Sequence, residues 1–309
     1  MKIPIIEVNP TWSRELGSLK VALPPIDFFL QKIRNKEHFQ FLRMNHGFFD
    51  RAATAAKLHL GATTKRFSKT RQQAECMYDT RGPWFQHVDR MLHDTATNAF
   101  LEDVKKRHIK ELYIAVSDSF GFGWNFPDIP RNRTGFRGTY AQLLSSINKN
   151  DNRPYLHGGL FRHYTVMDEL GELIKIMKDP DYHFIIIGPD QSLKYRSFLG
   201  NTFTHIPIKY RNALNDIIEI KNKTKNVLKN NKHNVILVSL EVGCFPIARY
   251  HRNKEDEILT TIIDLGRAFD ILLEPKPKDP WLLPENINKW KGAVIEMRKS
   301  SNFIPQKNI

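Results

Sequence analysis

Two short apolar runs in the second half of the chain constrain the fold more than any other feature of the sequence. They cover residues 184–187 and 235–238, and each ends in a loop of small or turn-forming residues, Gly-Pro-Asp and Ser-Leu-Glu-Val-Gly respectively. Short continuous apolar runs are typical of strands buried on both faces of a parallel sheet. Ligands bind outside the carboxyl ends of such strands, where the following helix offers free backbone N–H groups to phosphate. This pattern predicts a nucleotide-dependent enzyme.

Helical patterns separate the predicted strands. One of them, at residues 217–228, leads directly into the second apolar run. An order of strand, helix and strand is typical of a parallel sheet with crossover helices. We therefore predict an α/β fold with a mostly parallel sheet flanked by helices and a Rossmann-like nucleotide-binding core. We also predict a buried strand at 112–117 and a helical pattern over 28–57, with Phe39 and Leu42 among its apolar contacts. A loop at 45–47 interrupts this pattern, and a second helix is predicted to start near residue 49.

The predicted domain organisation has three parts. They are an extended N-terminal arm at 1–27, a single α/β domain at 28–280 and a C-terminal tail at 281–309. The arm contains several prolines and little periodicity, which favours an extended chain over a helix. Within the domain, we expect acceptor-side elements mainly at 28–165 and the nucleotide-binding part mainly at 166–280.

The charge balance points to a polyanionic partner. The 309 residues include 47 Lys and Arg against 33 Asp and Glu, a formal net charge of +14, and such an excess attracts polyanions at long range. A biased genome also produces Lys- and Asn-rich proteins, so charge alone leaves both interpretations open. Two segments, 63–71 and 118–137, place basic residues among hydroxyl or aromatic side chains, a mixture suited to phosphate contact and base stacking. The residues that we expect to bind nucleic acid are Lys65, Arg66, Lys69, Arg71, Trp124, Arg131, Arg133 and Arg137.

Composition also bears on the compartment. No run reaches the ~18 to 20 apolar residues that a membrane helix needs, and the first residues lack the pattern of a secretory signal. We therefore expect no membrane partner and a cytoplasmic location, which is the host cytoplasm if the protein is viral. Cys76 and Cys244 are too few and too far apart to indicate a disulfide framework or a zinc site, so we expect both to be reduced.

Three pieces of the nucleotide-binding part end in groups that could bind a nucleotide. The first strand is followed by a Gly-Pro-Asp turn, which taken alone is common, and then by a short strand and a polar cluster at 209–212. The second strand ends in a loop before a short helix whose first turn contains a proline, a natural seat for a diphosphate. The third piece, 261–270, is a strand that ends in an acid, a glycine and a cation. The candidate residues, in chain order, are Gly188, Asp190, Tyr210, Asn212, Ser239, Glu241, Gly243, Asp264 and Arg267.

In this order and spacing, the three pieces resemble the GT-D type of glycosyltransferase. The family's Ile-Pro-x-x-Asn-Ala segment is matched at 206–213 with a slightly longer spacing, and its Ile-Asp-Leu-Gly sequence is matched at 263–266. The resemblance covers about 182–273 well and the first half of the chain only loosely. It implies a transferase that moves a sugar from a nucleotide sugar, first of all a UDP-sugar, to an acceptor hydroxyl.

The first half departs from the family at the motif that would hold a metal ion. The family's Arg-x-Gly-Asp-Gly-Glu-Phe falls on 43–49, where His46 and Phe48 replace both acids. In the family, the two acids would hold a divalent cation that neutralises the departing diphosphate. We therefore expect no metal requirement, although His46 with Asp50 remains an alternative ligand pair for a softer metal.

Catalysis without a metal needs other groups in its place. Arginines can neutralise the leaving diphosphate, and the candidates are Arg43, Arg162 and Arg267. A base must also take the proton of the acceptor hydroxyl, and His46 or Asp50 could do so. The predicted catalytic residues are therefore His46, Asp50 and Arg43.

Combining the resemblance with the charge leads to three hypotheses. The first is a glycosyltransferase that acts on a hydroxymethylated pyrimidine of viral DNA, a base that must be flipped out of a duplex before it can react. The second is the same chemistry on a surface glycan or a protein, which needs no basic surface. The third is a nucleic-acid-binding protein without enzyme activity.

Overall fold

The structure is a computed structural model, and its described residues build a single sheet with helices on both faces. The description covers residues 3, 5–8, 19–44, 102–103, 111–116, 154–209, 213–240, 243–252, 260–273 and 283–300. The strands are β1 (Ile5–Val8), β2 (Leu19–Ala22), β3 (Gln40–Met44), β4 (Leu112–Val116), β5 (Tyr155–His157), β6 (Tyr182–Pro189), β7 (Phe203–Ile208), β8 (His233–Val238) and β9 (Thr260–Asp264).

The sheet confirms the predicted α/β class. Its strand order is β1-β2-β5-β4-β3-β9-β8-β6-β7. The eight strands from β2 to β9 are mutually parallel, and β1 pairs antiparallel with β2. The two apolar runs form the centres of β6 and β8, which are adjacent, and β9 lies on the other side of β8, as predicted.

Helices cover both faces of the sheet. The described helices are α1 (Asp27–Arg34), α2 (Leu160–Val166), α3 (Gly171–Met177), α4 (Arg196–Leu199), α5 (Ile217–Val227), α6 (Cys244–Arg252) and α7 (Pro284–Ser300), with 3₁₀ turns at Asp190–Tyr195, Ala213–Asp216 and Ala268–Leu272. Helices α5 and α6 pack on what we call the first face, while α1, α2, α3, α4 and α7 contribute to the core of the second face. No helix in these ranges has the length and apolar composition needed to cross a membrane.

Side-chain periodicity explains why these segments form these elements. All six residues of β8 are buried, because helices cover both faces of the sheet, and its run of β-branched and aliphatic residues suits such a strand. In α5 the buried residues are Ile217, Ile220 and Thr224. Their spacing of three and four places them on one side of a helix, so the intervening lysines and asparagines face away from the core.

The predicted helical segment over 28–57 is wrong at 40–44, and its part from 45 to 57 lies outside the described residues. Helix α1 ends at Arg34, Lys36 adopts a positive φ of 54°, and the chain then enters β3. Within β3, Phe41 belongs to the core of the second face, whereas Leu42 belongs to the core of the first. Alternation of this kind is typical of a strand. Burial between two layers of helices therefore favours a strand at 40–44 over the predicted helix.

The segments at the two ends of the chain contribute to the fold. Strands β1 and β2 extend the sheet at one edge. In the segment 281–309, helix α7 buries Val294 and Met297. Its Arg298 binds Glu169 through two N–H···O contacts of 2.5 and 2.9 Å.

Candidate functional site

The carboxyl ends of the central strands meet at one edge of the sheet, as parallel strands require. In the ladder, Ile187 of β6 lies beside Val238 of β8, and Val238 lies beside Asp264 of β9. Strand β3, which carries Arg43, lies on the other side of β9. Residues that immediately follow these strands therefore belong to the same edge, the position where open α/β sheets bind ligands.

Arg43 and Asp264 form a buried ion pair at this edge. Nη2 of Arg43 donates to Oδ1 of Asp264 at 3.0 Å, and the two side chains are only 11% and 2% exposed. The backbone N–H of Gly266 donates to the same oxygen at 3.0 Å. The Cys244 thiol lies 3.8 Å from Oδ2. Burial, and then the Asp264 carboxylate, raise the pKa of this thiol well above its usual value, so it stays protonated and donates.

Gly266 is the residue that allows this pair to form. Its φ is +54°, in the left-handed region, and a Cβ at this position would overlap Nη2 of Arg43. Glycine therefore serves two needs here, a backbone conformation that other residues rarely adopt and space for the guanidinium group. The last position of the Ile-Asp-Leu-Gly sequence thus has a direct physical explanation.

Arg43 keeps hydrogen-bonding capacity beyond Asp264. Its Nη1 lies 3.5 Å from the carbonyl oxygen of Gly158, at the end of β5. Its Nε is buried and has no acceptor among the residues that the structure describes. Buried donors in native proteins nearly always have an acceptor. The arrangement therefore suits an additional anionic or carbonyl group beside Arg43.

Gly188 and Gly243 are required by packing of neighbouring side chains. A Cβ on Gly188 would overlap Oγ of Ser192 and would lie 3.7 Å from Cβ of Ser239. A Cβ on Gly243 would lie 2.7 Å from Cγ of Leu240, within the tight turn before α6. Both glycines and Ser239 lie at the predicted edge, where the chain is closely packed around them.

The other two arginines expected to neutralise a leaving group have protein partners as well. Nε of Arg267 lies 2.6 Å from Oδ2 of Asp270, and the hydroxyl of Tyr195 donates to the other oxygen at 2.6 Å. Burial, and then the Asp270 charge, raise the pKa of Tyr195 far above its usual value, so its hydroxyl remains a donor. Arg162 stacks over the ring of Trp290 at 5.3 Å.

A cavity of about 440 Å³ opens at the same edge, between the ends of β6 and β7. Asp190 contributes to its wall, together with Pro207 and Ile208. Of the predicted nucleotide-binding residues, the structure therefore brings Ser239, Gly243 and Asp264 to the central strands and Asp190 to this cavity.

Several predicted site residues lie outside the described residues. They are His46, Asp50, Lys65, Arg66, Lys69, Arg71, Trp124, Arg131, Arg133, Arg137, Tyr210, Asn212 and Glu241. Within the described ranges, no group of three His, Cys, Asp or Glu side chains is arranged to hold a metal ion. The Asp264 oxygens are already bound by Arg43, Gly266 and Cys244, so this carboxylate does not fit a divalent cation.

Sequence reasoning missed two contributors to the site, Gly158 and Cys244, and it identified Gly266 only as part of the Ile-Asp-Leu-Gly match, without its contact to Arg43. Cys244 directly follows the predicted site residue Gly243, so a wider window around that motif would have included it. Gly158 had no such signal, because it lies 115 positions from Arg43. It enters the site only because β4 lies beside β3 and β5 lies beside β4.

Comparison with known proteins identifies the fold. No protein-family model matches the chain, and no curated protein does. Two solved structures are similar. The first, a domain of unknown function 1792 described as having a distinct glycosyltransferase fold, has a TM-score of 0.50 and 15% identity, covering 87% of this chain and 92% of that chain. The second, described as a new glycosyltransferase from Streptococcus sanguinis, has a TM-score of 0.49 and 15% identity over 80% and 82% of the two chains.

The resemblance to GT-D glycosyltransferases is thus confirmed at the level of the fold: the chain has the α/β architecture of a domain whose fold is described as that of a glycosyltransferase.

Proposed function

We propose that this protein is a glycosyltransferase that moves a sugar from a nucleotide sugar, most simply a UDP-sugar, to an acceptor hydroxyl. The observation that carries the proposal is the Arg43–Asp264 pair at the carboxyl edge of a glycosyltransferase-like sheet. Arg43 is buried and its Nε has no acceptor in the described part of the chain. Such a group suits a charged oxygen, because hydrogen bonds between ionised partners are stronger than neutral ones.

The proposed reaction exchanges one bond at the anomeric carbon of the sugar. The bond from this carbon to the diphosphate oxygen breaks, and the diphosphate leaves with the bonding electrons. The carbon bonds to the acceptor oxygen, whose proton passes to a base. Arg43 would stabilise the negative charge that develops on the diphosphate, an effect worth roughly 10²- to 10³-fold in rate for one well-placed donor.

His46 and Asp50 are the proposed bases. They follow Met44, the last residue of β3, by two and six positions. Two residues of extended chain span at most about 7 Å, and this short separation from β3 supports a role for His46 beside the Arg43–Asp264 pair. Either side chain could take the proton of an acceptor hydroxyl.

The proposed acceptor is a hydroxymethylpyrimidine in viral DNA. Support comes from the net charge of +14 and from the basic and aromatic residues at 63–71 and 118–137. Basic side chains neutralise phosphates, and aromatic side chains stack on bases or occupy the gap that a flipped base leaves. A glycan or protein acceptor would require no such surface.

A transfer assay tests the donor and acceptor together. The full chain is incubated with a panel of UDP-sugars and a duplex containing hydroxymethylated pyrimidines, and sugar addition to the DNA is measured by mass spectrometry. We expect addition to the modified duplex and none to the unmodified one. Arg43→Met should lower the rate at least ~100-fold.

Arg34→Met is the matched control for this assay, because Arg34 also forms an ion pair, with Glu172, but on an exposed surface. It should transfer sugar at the wild-type rate. Transfer to a glycan or protein, but not to DNA, would replace the proposed acceptor. Absence of turnover with every donor, alongside DNA binding, would favour a non-enzymatic nucleic-acid-binding protein.

Salt dependence tests the proposed DNA surface separately. Replacing Arg131, Arg133 and Arg137 by Ala should weaken DNA binding on all sequences, and the slope of log K against log salt should fall by about one unit for each phosphate that is no longer neutralised. Donor binding should not change. An unchanged slope in the triple variant would exclude these arginines from the acceptor surface.

A further inference from the structure

The cavity lies between β6 and the edge strand β7, where the chain leaves these two strands towards opposite faces of the sheet. After β6 the chain turns to the second face, since Tyr195 and Leu199 pack in the core of that face. After the neighbouring β7 it turns to the first face, where Ile217 and Ile220 of α5 are buried. Adjacent parallel strands whose connections leave to opposite faces open a crevice at their carboxyl ends, and ligands of open α/β sheets bind in such crevices.

The walls of this crevice combine apolar surface with a few polar groups. Its volume of about 440 Å³ is within the range of small-molecule sites. Apolar surface comes from Pro189, Pro207 and Ile208, while Asp190 and Gln191 offer oxygen acceptors. Lys209 also lines the crevice, and its charge is paired with Asp216. A flat base fits the apolar wall, and a carboxylate is a natural acceptor for vicinal sugar hydroxyls, as in dinucleotide-binding folds.

We propose that this crevice binds the nucleoside of the donor, with the ribose hydroxyls donating to Asp190 and the base against Pro207 and Ile208. The inference depends on the proposed function and adds to it the direction in which the donor lies. The nucleoside end occupies the β6–β7 crevice, and the reacting sugar lies at the Arg43–Asp264 pair.

The strand order sets the distance that the donor must span. Strands β7, β6, β8, β9 and β3 are consecutive neighbours. The crevice lies between the first two and the ion pair between the last two, three strand spacings or about 14 Å away. The diphosphate that joins nucleoside and sugar would therefore run past the ends of β6, β8 and β9, with the phosphate next to the sugar reaching Arg43.

The opposite orientation of the donor, with the sugar in the crevice and the base at the Arg43–Asp264 pair, is less favourable at both ends. A sugar in the crevice would find acceptors in Asp190 and Gln191, but it would cover the apolar surface of Pro207 and Ile208 with polar hydroxyl groups instead of a flat base. A base at the other end would leave the buried Nε of Arg43 without the diphosphate oxygen that suits it.

Nucleotide binding by the full chain tests the inference. Isothermal titration is carried out with UDP, GDP and their 2′-deoxy forms, on wild type and Asp190→Asn. We expect wild type to bind the ribonucleotide roughly tenfold more tightly than its deoxy form. Asp190→Asn should weaken ribonucleotide binding by roughly ten- to hundredfold and reduce the preference, since the charged acceptor is replaced by a neutral amide oxygen that accepts a weaker hydrogen bond.

Glu219→Gln is the matched control, because Glu219 is an exposed carboxylate that pairs with Lys223 on α5, away from the crevice. Its nucleotide affinities should equal those of wild type. If Asp190→Asn binds UDP and GDP as tightly as wild type and keeps the preference for ribose, the crevice is not the nucleoside site and the proposed transferase activity is unaffected. If wild type binds neither nucleotide, this inference and the proposed donor both fail.

Discussion

At the scale of single residues, the site depends on one buried ion pair and the glycine beside it. Arg43 and Asp264 are both largely inaccessible to water, so each charge relies on the other and on nearby backbone groups. Removing one partner of such a pair typically costs about 3–5 kcal/mol, because the remaining charge stays buried and unpaired. Gly266 supplies one N–H to the carboxylate and leaves room for the guanidinium.

Gly266→Ala should therefore destabilise the protein and impair donor binding. A left-handed φ costs a residue with a Cβ about 1–2 kcal/mol, and the new methyl group would displace Arg43 from Asp264. Urea unfolding should show the decrease in stability, and titration with UDP should show weakened binding.

Gly200→Ala separates backbone strain from displacement of Arg43. Gly200 also has a positive φ, of 71°, but a Cβ there would meet nothing within 4 Å. This variant should be less stable than wild type and still bind UDP normally. Equal UDP affinity in both variants would show that Arg43 placement does not matter for the donor.

At the scale of secondary-structure elements, the ends of β6 and β8 are held together by close packing. Gly188 ends the apolar part of β6, Ser192 lies on the 3₁₀ turn that follows, and Ser239 follows β8. The absence of a side chain on Gly188 allows Ser192 to approach the strand. This turn begins with Asp190, so the packing also fixes where the wall of the crevice lies.

Gly188→Ala should destabilise the protein by about 1–3 kcal/mol, the usual cost of an overpacked core site. Ser192→Ala should relieve most of this cost, because it removes the overlapping oxygen and leaves a contact of 3.3 Å to its Cβ. A double-mutant cycle in urea measures the coupling free energy. Additive effects would show that Ser192 is not the reason for glycine at this position.

At the scale of the whole molecule, helix α7 packs on α2 and helps to enclose a buried histidine. His163 lies on α2 and is 2% exposed. Burial lowers the pKa of His163 well below its usual value, and the nearby positive charges of His157, Arg298 and Arg162 lower it further. His163 is therefore neutral in the folded protein, while it titrates normally in the unfolded chain.

This pKa difference predicts a decrease in stability in acid. Below about pH 6.5 the unfolded state binds a proton that the folded state does not, so the free energy of unfolding falls by up to about 1.4 kcal/mol for each pH unit. His163→Phe should reduce the slope by that amount between pH 6 and 4.5, as measured by urea unfolding. Above pH 7.5 the curves of the two proteins should run parallel. Identical slopes in acid would show that His163 does not cause the decrease.

Local patterns in the sequence determined a large part of the fold. The runs at 184–187 and 235–238, the helical spacing of α5 and their alternation predicted adjacent parallel strands with crossover helices, and the structure confirms this. Such features can be read locally, because periodicity and length distinguish a doubly buried strand from an amphipathic helix. The predicted edge for ligands followed from the same pattern, since all parallel strands end on the same side.

The partners within the site were decided by the tertiary structure. Arg43 and Asp264 are 221 positions apart, and they meet only because β3 and β9 are neighbours in the final strand order. The apolar residues of 39–44 fit a helical pattern in the sequence. In the structure, layers of helices on both faces of the sheet bury them as strand β3. Gly188 and Gly266 were visible as glycines, yet the side chains that require them, Ser192 and Arg43, became evident only in three dimensions. The periodicity of apolar residues shows which side of an element is buried. The order of strands in the sheet determines which residues of different strands lie close together. Most strands and helices of the nucleotide-binding part could therefore be predicted from the sequence, whereas the strand type of β3 and the contacts between site residues depended on the tertiary structure.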